Sequence, residues 1–191
     1  MPDPHTALLL IDVQQAFDDH SAWGGARNHP QAEANIARLL QTFRESGLMV
    51  VHVRHASTTE GSPLAPDQPG YRVKPEAAER PGEPVIVKHV NSAFIGTSLH
   101  EQLQTMGIRS LVIVGATTDH CCSTTTRMAA NLGYQVTFVD DATWTYDKRH
   151  PDGQMMDAEL VHRVNVASLS GEFADIVMTD DLLAGIRAGG S

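Results

Sequence analysis

The only two cysteines of the chain, Cys121 and Cys122, are the residues best suited to nucleophilic chemistry. They follow the apolar run Val112–Val114 and a small polar turn, Gly115–His120, and they begin a segment with helical character. Backbone N–H groups at a helix start favour an anion, so a thiol placed there is converted to a thiolate more easily than elsewhere. The pattern therefore predicts a nucleophilic cysteine in this turn.

Two charged residues at the ends of predicted strands can serve such a nucleophile. Asp12 ends the first strand, Lys88 ends the third, and the fourth leads into the cysteine turn. In open parallel sheets the carboxyl ends of the strands meet at one edge, where ligands bind. The topology therefore brings an acid, a base and a thiol together. Each also has a second interpretation: Asp12 as a turn or cap residue, Lys88 as a solvated strand end, and a cysteine as a small buried hydrophobe.

Short runs of Leu, Ile and Val alternate with helical patterns through most of the chain. The predicted strands are Thr6–Asp12, Met49–Arg54, Pro84–Lys88, Ser110–Val114, Gln135–Val139 and Asp175–Met178. The predicted helices are Ala32–Ser46, Ser98–Met106, Cys121–Leu132, Asp157–Leu169 and Asp180–Arg187. Such alternation implies right-handed crossovers and helices on both faces of a sheet. We predict a Rossmann-like α/β fold, a three-layer α/β/α sandwich with a six-stranded, mainly parallel sheet.

Composition limits the domain organisation and the partners. The 191 residues fit a single domain, 1–191, and the 41% hydrophobic content supplies one substantial core. The formal net charge of −9 and the scattered basic residues disfavour nucleic acid. No apolar run could span a bilayer and residues 1–5 lack a signal-peptide pattern, so we expect a cytoplasmic protein without a membrane partner. Adjacent cysteines close no useful disulfide loop, and free thiols suit a reducing compartment.

Two irregular segments, Asp18–Pro30 and the proline-rich Ala56–Pro84, interrupt the alternation. Long insertions in compact domains are usually functional or disordered, and we interpret both as loops that wall a pocket. The candidate pocket residues carry aromatic or imidazole rings: Phe17, Trp23, His55, Phe94, Trp144 and Tyr146. Each aromatic ring can stack on a planar ligand or can simply pack its loop against the core.

Three ordered blocks of the sequence resemble the isochorismatase-like cysteine hydrolases, a family that includes nicotinamidases, N-carbamoylsarcosine amidases and ureidoacrylate hydrolases. Leu8–Gln14 resembles the strand with the catalytic Asp, Val87–Phe94 resembles the block with the catalytic Lys, and Gly115–Cys121 resembles the segment that leads to the family's nucleophile. The pattern continues in register through Asn131–Tyr134 and Val139–Ala142. Each block is short, but together they keep their order and spacing over nearly the whole chain.

The resemblance implies a catalytic triad of Asp12, Lys88 and Cys121. It also implies a cis peptide bond between Ala116 and Thr117, with the N–H groups of Thr117 and Cys121 forming an oxyanion hole. The implied enzyme is an amidohydrolase that cleaves a C–N bond of a small amide, ureido or lactam substrate through a thioester on Cys121. Relatives commonly form dimers or tetramers, so a homodimer or homotetramer is expected, and no cofactor is implied.

The resemblance also separates the neighbouring residues of the turn. Counted from Gly115, the family's nucleophile falls on Cys121, and Cys122 is then a packing residue. His120 precedes the nucleophile directly and adjacent residues at a helix start rarely face each other, so we assign it to the pocket wall or an outward position. Isochorismatases proper cleave a vinyl ether without a thiol, so Cys121 weighs against that branch.

Two alternatives stay open. Nicotinamidases hold a metal with an Asp-x-His pair after the second strand, whereas this chain has Val51–His55 there, without such a pair. His52 and His55 point to opposite faces of a regular strand, so we predict no metal, although a metal-assisted nicotinamidase-type deamidase is the alternative hydrolase. The other alternative is a thiol-based redox or ligand-binding protein that uses Cys121 and Cys122 as a switch.

Overall fold

A computed structural model describes residues 3–188. Residues 1–2 and 189–191 lie outside the described residues, and with them the ends of the expected domain 1–191 and the first two residues of the segment considered for a signal peptide. The strands are β1 (Thr6–Ile11), β2 (Met49–His55), β3 (Val85–Lys88), β4 (Ser110–Ala116), β5 (Gln135–Trp144), β6 (Lys148–Arg149), β7 (Met155–Met156) and β8 (Asp175–Val177). The helices are α1 (Ala32–Glu45), α2 (Leu99–Thr105), α3 (Ser123–Asn131), α4 (Ala158–Leu169) and α5 (Thr179–Ala188).

Six of the strands form one parallel sheet in the order β3-β2-β1-β4-β5-β8, and β6 and β7 form a separate antiparallel pair. Every strand pair of the large sheet is parallel, which confirms the predicted α/β fold class. The strand order reverses between β1 and β4, where Ile11 is in register with Gly115. Ligands of open α/β sheets bind at the carboxyl end of such a switch point.

Alternate residues of β1 enter two separate cores because successive side chains of a strand point to opposite faces. On one face Leu8 and Leu10 belong to a cluster that includes residues of α1 and α5. On the other face Leu9 and Ile11 belong to a cluster that includes residues of α2, α3 and α4. The continuous apolar run of β1 is therefore that of a central strand buried on both faces.

The fifth strand is longer than the sequence predicts. It does not end at Val139 but continues to Trp144. The register between β4 and β5 shifts after Ile113, and the segment Val139–Ala142 supplies the extra residues. Its two aspartates are typical of a strand end in sequence, yet both carboxylates accept hydrogen bonds from neighbouring elements. Because these hydrogen bonds satisfy both carboxylates, the strand continues beyond the two aspartates to Trp144.

The predicted helix Cys121–Leu132 also begins differently. The regular α-helix starts at Ser123, and a π-helical turn, Thr118–Cys122, precedes it. Both cysteines therefore lie on this turn, which we call the nucleophile turn. π-Turns of this kind occur frequently at functional sites.

The two irregular segments are ordered by ion pairs as well as by apolar contacts. Lys74, from the segment Ala56–Pro84, is 4% exposed, and its Nζ lies 2.7 Å from both Asp18 Oδ1 and Glu33 Oε1. These bonds join the two segments to the start of α1. Within residues 3–188, no helix combines the length and apolar character needed to cross a membrane.

Candidate active site

Asp12, Lys88 and Cys121 meet at the carboxyl edge of the sheet. Asp12 directly follows β1, Lys88 is the last residue of β3, and Cys121 lies on the nucleophile turn after β4. Lys88 Nζ is 2.7 Å from Asp12 Oδ2 and 3.3 Å from Cys121 Sγ. Asp12 and Lys88 are fully buried, whereas Cys121 is partly exposed. The three reactive groups located from the sequence therefore meet in the fold, with Lys88 within hydrogen-bond reach of both Asp12 and Cys121.

The Lys88 ammonium has a partner for each of its three protons. Besides Asp12 and Cys121, it contacts His55 Nδ1 at 3.0 Å. An ammonium group has three donors and no acceptor, so His55 accepts through Nδ1. The second carboxylate oxygen of Asp12, Oδ1, is buried and has no hydrogen-bond partner among the described residues. That oxygen is a free acceptor inside the site.

Burial and charge set the protonation of these groups. Burial acts to lower the pKa of Lys88, but Asp12 and Cys121 outweigh it and raise that pKa above its ordinary value. Burial, followed by the charge of Lys88, lowers the pKa of His55 and keeps the imidazole neutral. Burial, followed by the charge of Asp12, raises the pKa of Cys121 well above that of a free thiol. The resting site therefore holds a charged lysine and a neutral thiol.

The backbone of the turn approaches β1 closely. The peptide bond between Ala116 and Thr117 is cis. Gly115 has a φ of +119°, and a Cβ atom there would lie 2.0 Å from the carbonyl oxygen of Ile11. Asp12 itself has a φ of +50°, a left-handed conformation that Asp tolerates better than most residues. Only a glycine at 115 lets the two strand ends come this close.

The two cysteines have different surroundings. Cys121 contacts Lys88, while Cys122 is fully buried in the core cluster beneath the sheet edge. Burial raises the pKa of Cys122 well above its ordinary value. The side chain of His120 is 57% exposed and its Nε2 lies 3.4 Å from Asp119 Oδ2. Cys122 therefore has the contacts of a packing residue, and His120 points outward.

Two polar residues near the site have no role assigned from the sequence. The side-chain amide of Gln14 binds the backbone N–H of His55 at 2.8 Å and the carbonyl of Tyr71 at 2.9 Å, joining the end of β2 to the loop Ala56–Pro84. Asn91 is exposed, and its Nδ2 lies 3.8 Å from Cys121 Sγ. Both belong to the blocks that resemble the cysteine hydrolases, so their positions in those blocks were the available signal.

Most of the candidate pocket rings are packed against each other. Phe17 and Trp23 have ring centroids 4.5 Å apart, and the Tyr146 hydroxyl donates to the Phe17 carbonyl at 2.6 Å. Phe17, Tyr146 and Trp144 are buried, so they offer a ligand almost no surface. Trp23 is partly exposed and contacts the same cluster.

Phe94 lies apart from that aromatic cluster. It is 9% exposed, and its ring stacks on Tyr134 with centroids 5.9 Å apart. Among the six candidate rings, only His55 forms a hydrogen bond to one of the three residues Asp12, Lys88 and Cys121, namely Lys88. The other five rings are positioned by the ring and hydroxyl contacts described above. These contacts pack their segments against the protein, so no ligand is needed to explain where the rings lie.

One group of metal-ligand side chains occurs among residues 3–188. Asp12, His55 and Cys121 each offer one ligand atom, and these atoms lie within 4.8 Å of one another. The Lys88 ammonium already binds all three residues. A second cation would have to displace it, so this donor set does not fit a metal. His52 lies apart, with its Nε2 2.8 Å from Glu83 Oε2.

The parallel α/β/α sandwich carries a carboxylate, an ammonium group and a thiol together at its switch point, where open α/β sheets bind their ligands. These features define an α/β protein with a candidate active site at one sheet edge. Residues 6–170 match the family model described as Isochorismatase domain. The chain belongs to the isochorismatase family.

Similar proteins share most of its length. The isochorismatase family protein YrdC of Bacillus subtilis is 42% identical over 177 residues, which cover 93% of this chain and 94% of YrdC. A crystal structure of an isochorismatase-family protein from Chromobacterium violaceum is 44% identical, with a TM-score of 0.93 and coverage of 98% and 96% of the two chains. The ureidoacrylate amidohydrolase RutB of Variovorax paradoxus is 28% identical over 174 residues, covering 72% of this chain and 68% of RutB.

Proposed function

We propose that the protein is a cysteine amidohydrolase that cleaves a C–N bond in a small amide, ureido or lactam substrate. The observation that carries the proposal is the position of Lys88 Nζ, 2.7 Å from Asp12 Oδ2 and 3.3 Å from Cys121 Sγ. This arrangement provides a base, a nucleophile and a fixed positive charge in one buried site. The resemblance to RutB, which is named as an amidohydrolase, supports the same reaction class.

In the first half of the reaction, Asp12 accepts the proton of the Cys121 thiol. The unpartnered oxygen Oδ1 is the acceptor available for it. The sulfur attacks the substrate carbonyl carbon as the proton leaves, and Lys88 balances the negative charge in the site. The resulting tetrahedral oxyanion is stabilised by the backbone N–H groups of Thr117 and Cys121, and one such donor is worth about 2.7–4 kcal/mol in other enzymes.

The second half of the reaction releases the two products. Protonated Asp12 gives its proton to the nitrogen as the C–N bond breaks, which leaves a thioester on Cys121. Asp12 then takes a proton from a water molecule, whose oxygen attacks the thioester carbonyl. Collapse of this second intermediate releases the carboxylic acid and returns the proton to the sulfur. Proton transfer by a positioned group contributes roughly 10²–10⁴-fold to such rates.

The test is a screen of small carboxamides, ureas and lactams for ammonia release or ring opening. We expect at least one substrate to be hydrolysed by the wild type and by Cys122→Ala, while Cys121→Ser is inactive. Intact-mass measurement after rapid quenching should detect an acyl adduct that is absent from Cys121→Ser. Loss of activity in Cys122→Ala with retention in a Cys121→Ala variant would contradict the proposal.

A further inference from the structure

A buried histidine on α4 is hydrogen-bonded to the nucleophile turn and takes no part in the proposed reaction. His162 is 1% exposed. Its Nδ1 lies 2.8 Å from Oγ1 of Thr118, the first residue of the turn, and its Nε2 contacts Oδ1 of Asp140 on β5. These three side chains form a continuous path of hydrogen bonds from β5 through α4 to the turn that carries Cys121.

The carboxylate of Asp140 fixes how the His162 ring is held. The hydrogen bond from His162 lowers the pKa of Asp140, which is therefore an anion that accepts from the Nε2–H group. The other ring nitrogen, Nδ1, then faces the Thr118 hydroxyl, and the bond between them restricts the rotation of the Thr118 side chain.

The ring of His162 is itself held from the other side. The His29 ring lies edge-on to it, with centroids 4.5 Å apart. His29 Nδ1 donates to the Thr143 carbonyl at 2.9 Å, and Glu159 Oε2 lies 3.8 Å from His29 Nε2. With a carboxylate on one nitrogen, a hydroxyl on the other and a ring against its face, His162 has one available orientation.

The order of hydroxyl, imidazole and carboxylate is that of a hydrolytic triad, but access excludes that use. Thr118 has no exposed surface, so no substrate carbonyl can reach its oxygen. A nucleophilic hydroxyl must face the substrate. The three groups must act on the turn instead of on a ligand.

We propose that Thr118, His162 and Asp140 form a positioning relay that sets where the sulfur of Cys121 lies relative to Lys88. The inference rests on the proposed function, because it concerns the geometry of the same nucleophile. Cys121 follows Thr118 by three residues on a single turn, so a backbone shift that follows the loss of the Thr118 hydrogen bond is carried to the residue that bears the sulfur. A misplacement of about 1 Å in a reacting group can cost on the order of 10²-fold in rate.

The first test removes the hydroxyl of Thr118 without changing its shape. We expect Thr118→Val to lower kcat at least about tenfold with KM within about twofold, and Thr118→Ser to keep kcat near wild type. The matched control is Thr126→Val, because Thr126 is also fully buried and its hydroxyl has no partner among the described residues. Its kcat should be unchanged. Cys121→Ser is measured in the same assay.

The second test separates the two ends of the relay at His162. An asparagine keeps a hydrogen-bonding group near the position of Nδ1, and a glutamine keeps one near the position of Nε2. If the bond to Thr118 positions the turn, His162→Asn retains a higher kcat than His162→Gln at equal melting temperature.

A third readout needs no substrate. Burial and Asp12 raise the pKa of Cys121 and Lys88 lowers it, so a sulfur displaced relative to these two charged groups should titrate at a different pH. In a Cys122→Ala background, Thr118→Val should therefore react with iodoacetamide at pH 8 at a rate clearly different from that of the background protein. Thr126→Val should react at the background rate.

The possible outcomes separate the two proposals. Wild-type kcat and alkylation rate in Thr118→Val, with Cys121→Ser inactive, would overturn the relay and leave the proposed function intact. Activity in Cys121→Ser would overturn the proposed function. Equal losses of kcat and melting temperature in Thr118→Val and Thr126→Val would show general packing and would also overturn the relay.

Discussion

The charge on Cys121 is decided by its neighbours and not by the helix start alone. The sequence pattern predicts an easily formed thiolate, because the thiol lies near a helix N-terminus. In the structure burial has the larger effect on this thiol, and the charge of Asp12 acts in the same direction to raise the pKa of Cys121. Lys88 lowers that pKa but does not offset them. This balance fits the proposed reaction, in which Asp12 removes the thiol proton as the sulfur attacks.

This coupling predicts opposite effects of Asp12→Asn on two reactions of the same sulfur. Without the carboxylate charge, Lys88 is left to pair with Cys121, so the pKa of the thiol falls and its alkylation at pH 7 becomes faster. Amide hydrolysis loses its proton acceptor and should fall roughly 10²–10⁴-fold. Both rates are measured in a Cys122→Ala background, with iodoacetamide and with an accepted amide.

The control for that experiment is Asp67→Asn, which removes one carboxylate from an exposed loop position. It should leave both rates unchanged. Slower alkylation in Asp12→Asn would mean that Asp12 promotes the resting thiolate, and the protonation described for the site would then be incorrect.

At the scale of single residues, the sequence predicts which residues form the candidate site better than it predicts which side chains surround them. Asp12, Lys88 and Cys121 could be located because strand ends meet at one edge, whichever side chains surround them. His55 as the third acceptor for Lys88, and the mutual packing of Phe17 with Tyr146, depend on side-chain directions between distant segments. Periodicity carries no information on those directions.

Among the elements, β1 and β4 have the most stringent requirement on their spacing. Their ends carry Asp12 and the nucleophile turn, and they approach so closely that residue 115 has no space for a side chain. Apolar runs were enough to predict both strands, since central parallel strands are buried on both faces. The π-helical turn and the extension of β5 could not be predicted, because local polar residues there are satisfied by partners distant in sequence.

The close approach predicts a large difference between two glycine substitutions with similar backbone strain. Gly115 and Gly133 both have positive φ, and an alanine in that conformation costs about 1–2 kcal/mol. At Gly133 the new Cβ would meet nothing within 4 Å, whereas at Gly115 it would meet the Ile11 backbone at 2.0 Å. Gly115→Ala should therefore lose about 1–3 kcal/mol more than Gly133→Ala in urea unfolding.

The same two variants should also differ in hydrolytic activity. Gly115→Ala pushes the end of β1 away from the turn and should reduce hydrolysis, while Gly133→Ala should keep wild-type kcat. Equal unfolding free energies for the two variants would show that β1 and β4 can separate without cost.

In the whole molecule, a buried ion cluster joins both irregular segments to the sandwich. Arg27 contacts Glu33 Oε1 at 2.6 Å, and Lys74 binds Glu33 and Asp18 at 2.7 Å each. Burial acts to raise the pKa of Glu33, but hydrogen bonds from Arg27 and Lys74 outweigh it and lower the pKa to about 2. Lys74 also donates its backbone N–H to the Val13 carbonyl, directly beside the site. The cluster therefore couples loop order to the surroundings of the candidate active site.

The cluster predicts a specific loss of stability in acid. The folded pKa of Glu33, about 2, lies below the ordinary value of 4.5, so its contribution is complete above pH 4.5 and is lost as the pH falls toward 2. Glu33→Gln should lower the free energy of unfolding by on the order of 3 kcal/mol at pH 7, and by progressively less between pH 4.5 and pH 2. Glu76→Gln, at an exposed position of the same loop, is the control and should follow the wild type throughout. Urea unfolding at pH 7, 5, 4 and 3 measures the difference, and a gap between Glu33→Gln and wild type that stays constant with pH would show that the carboxylate charge contributes nothing.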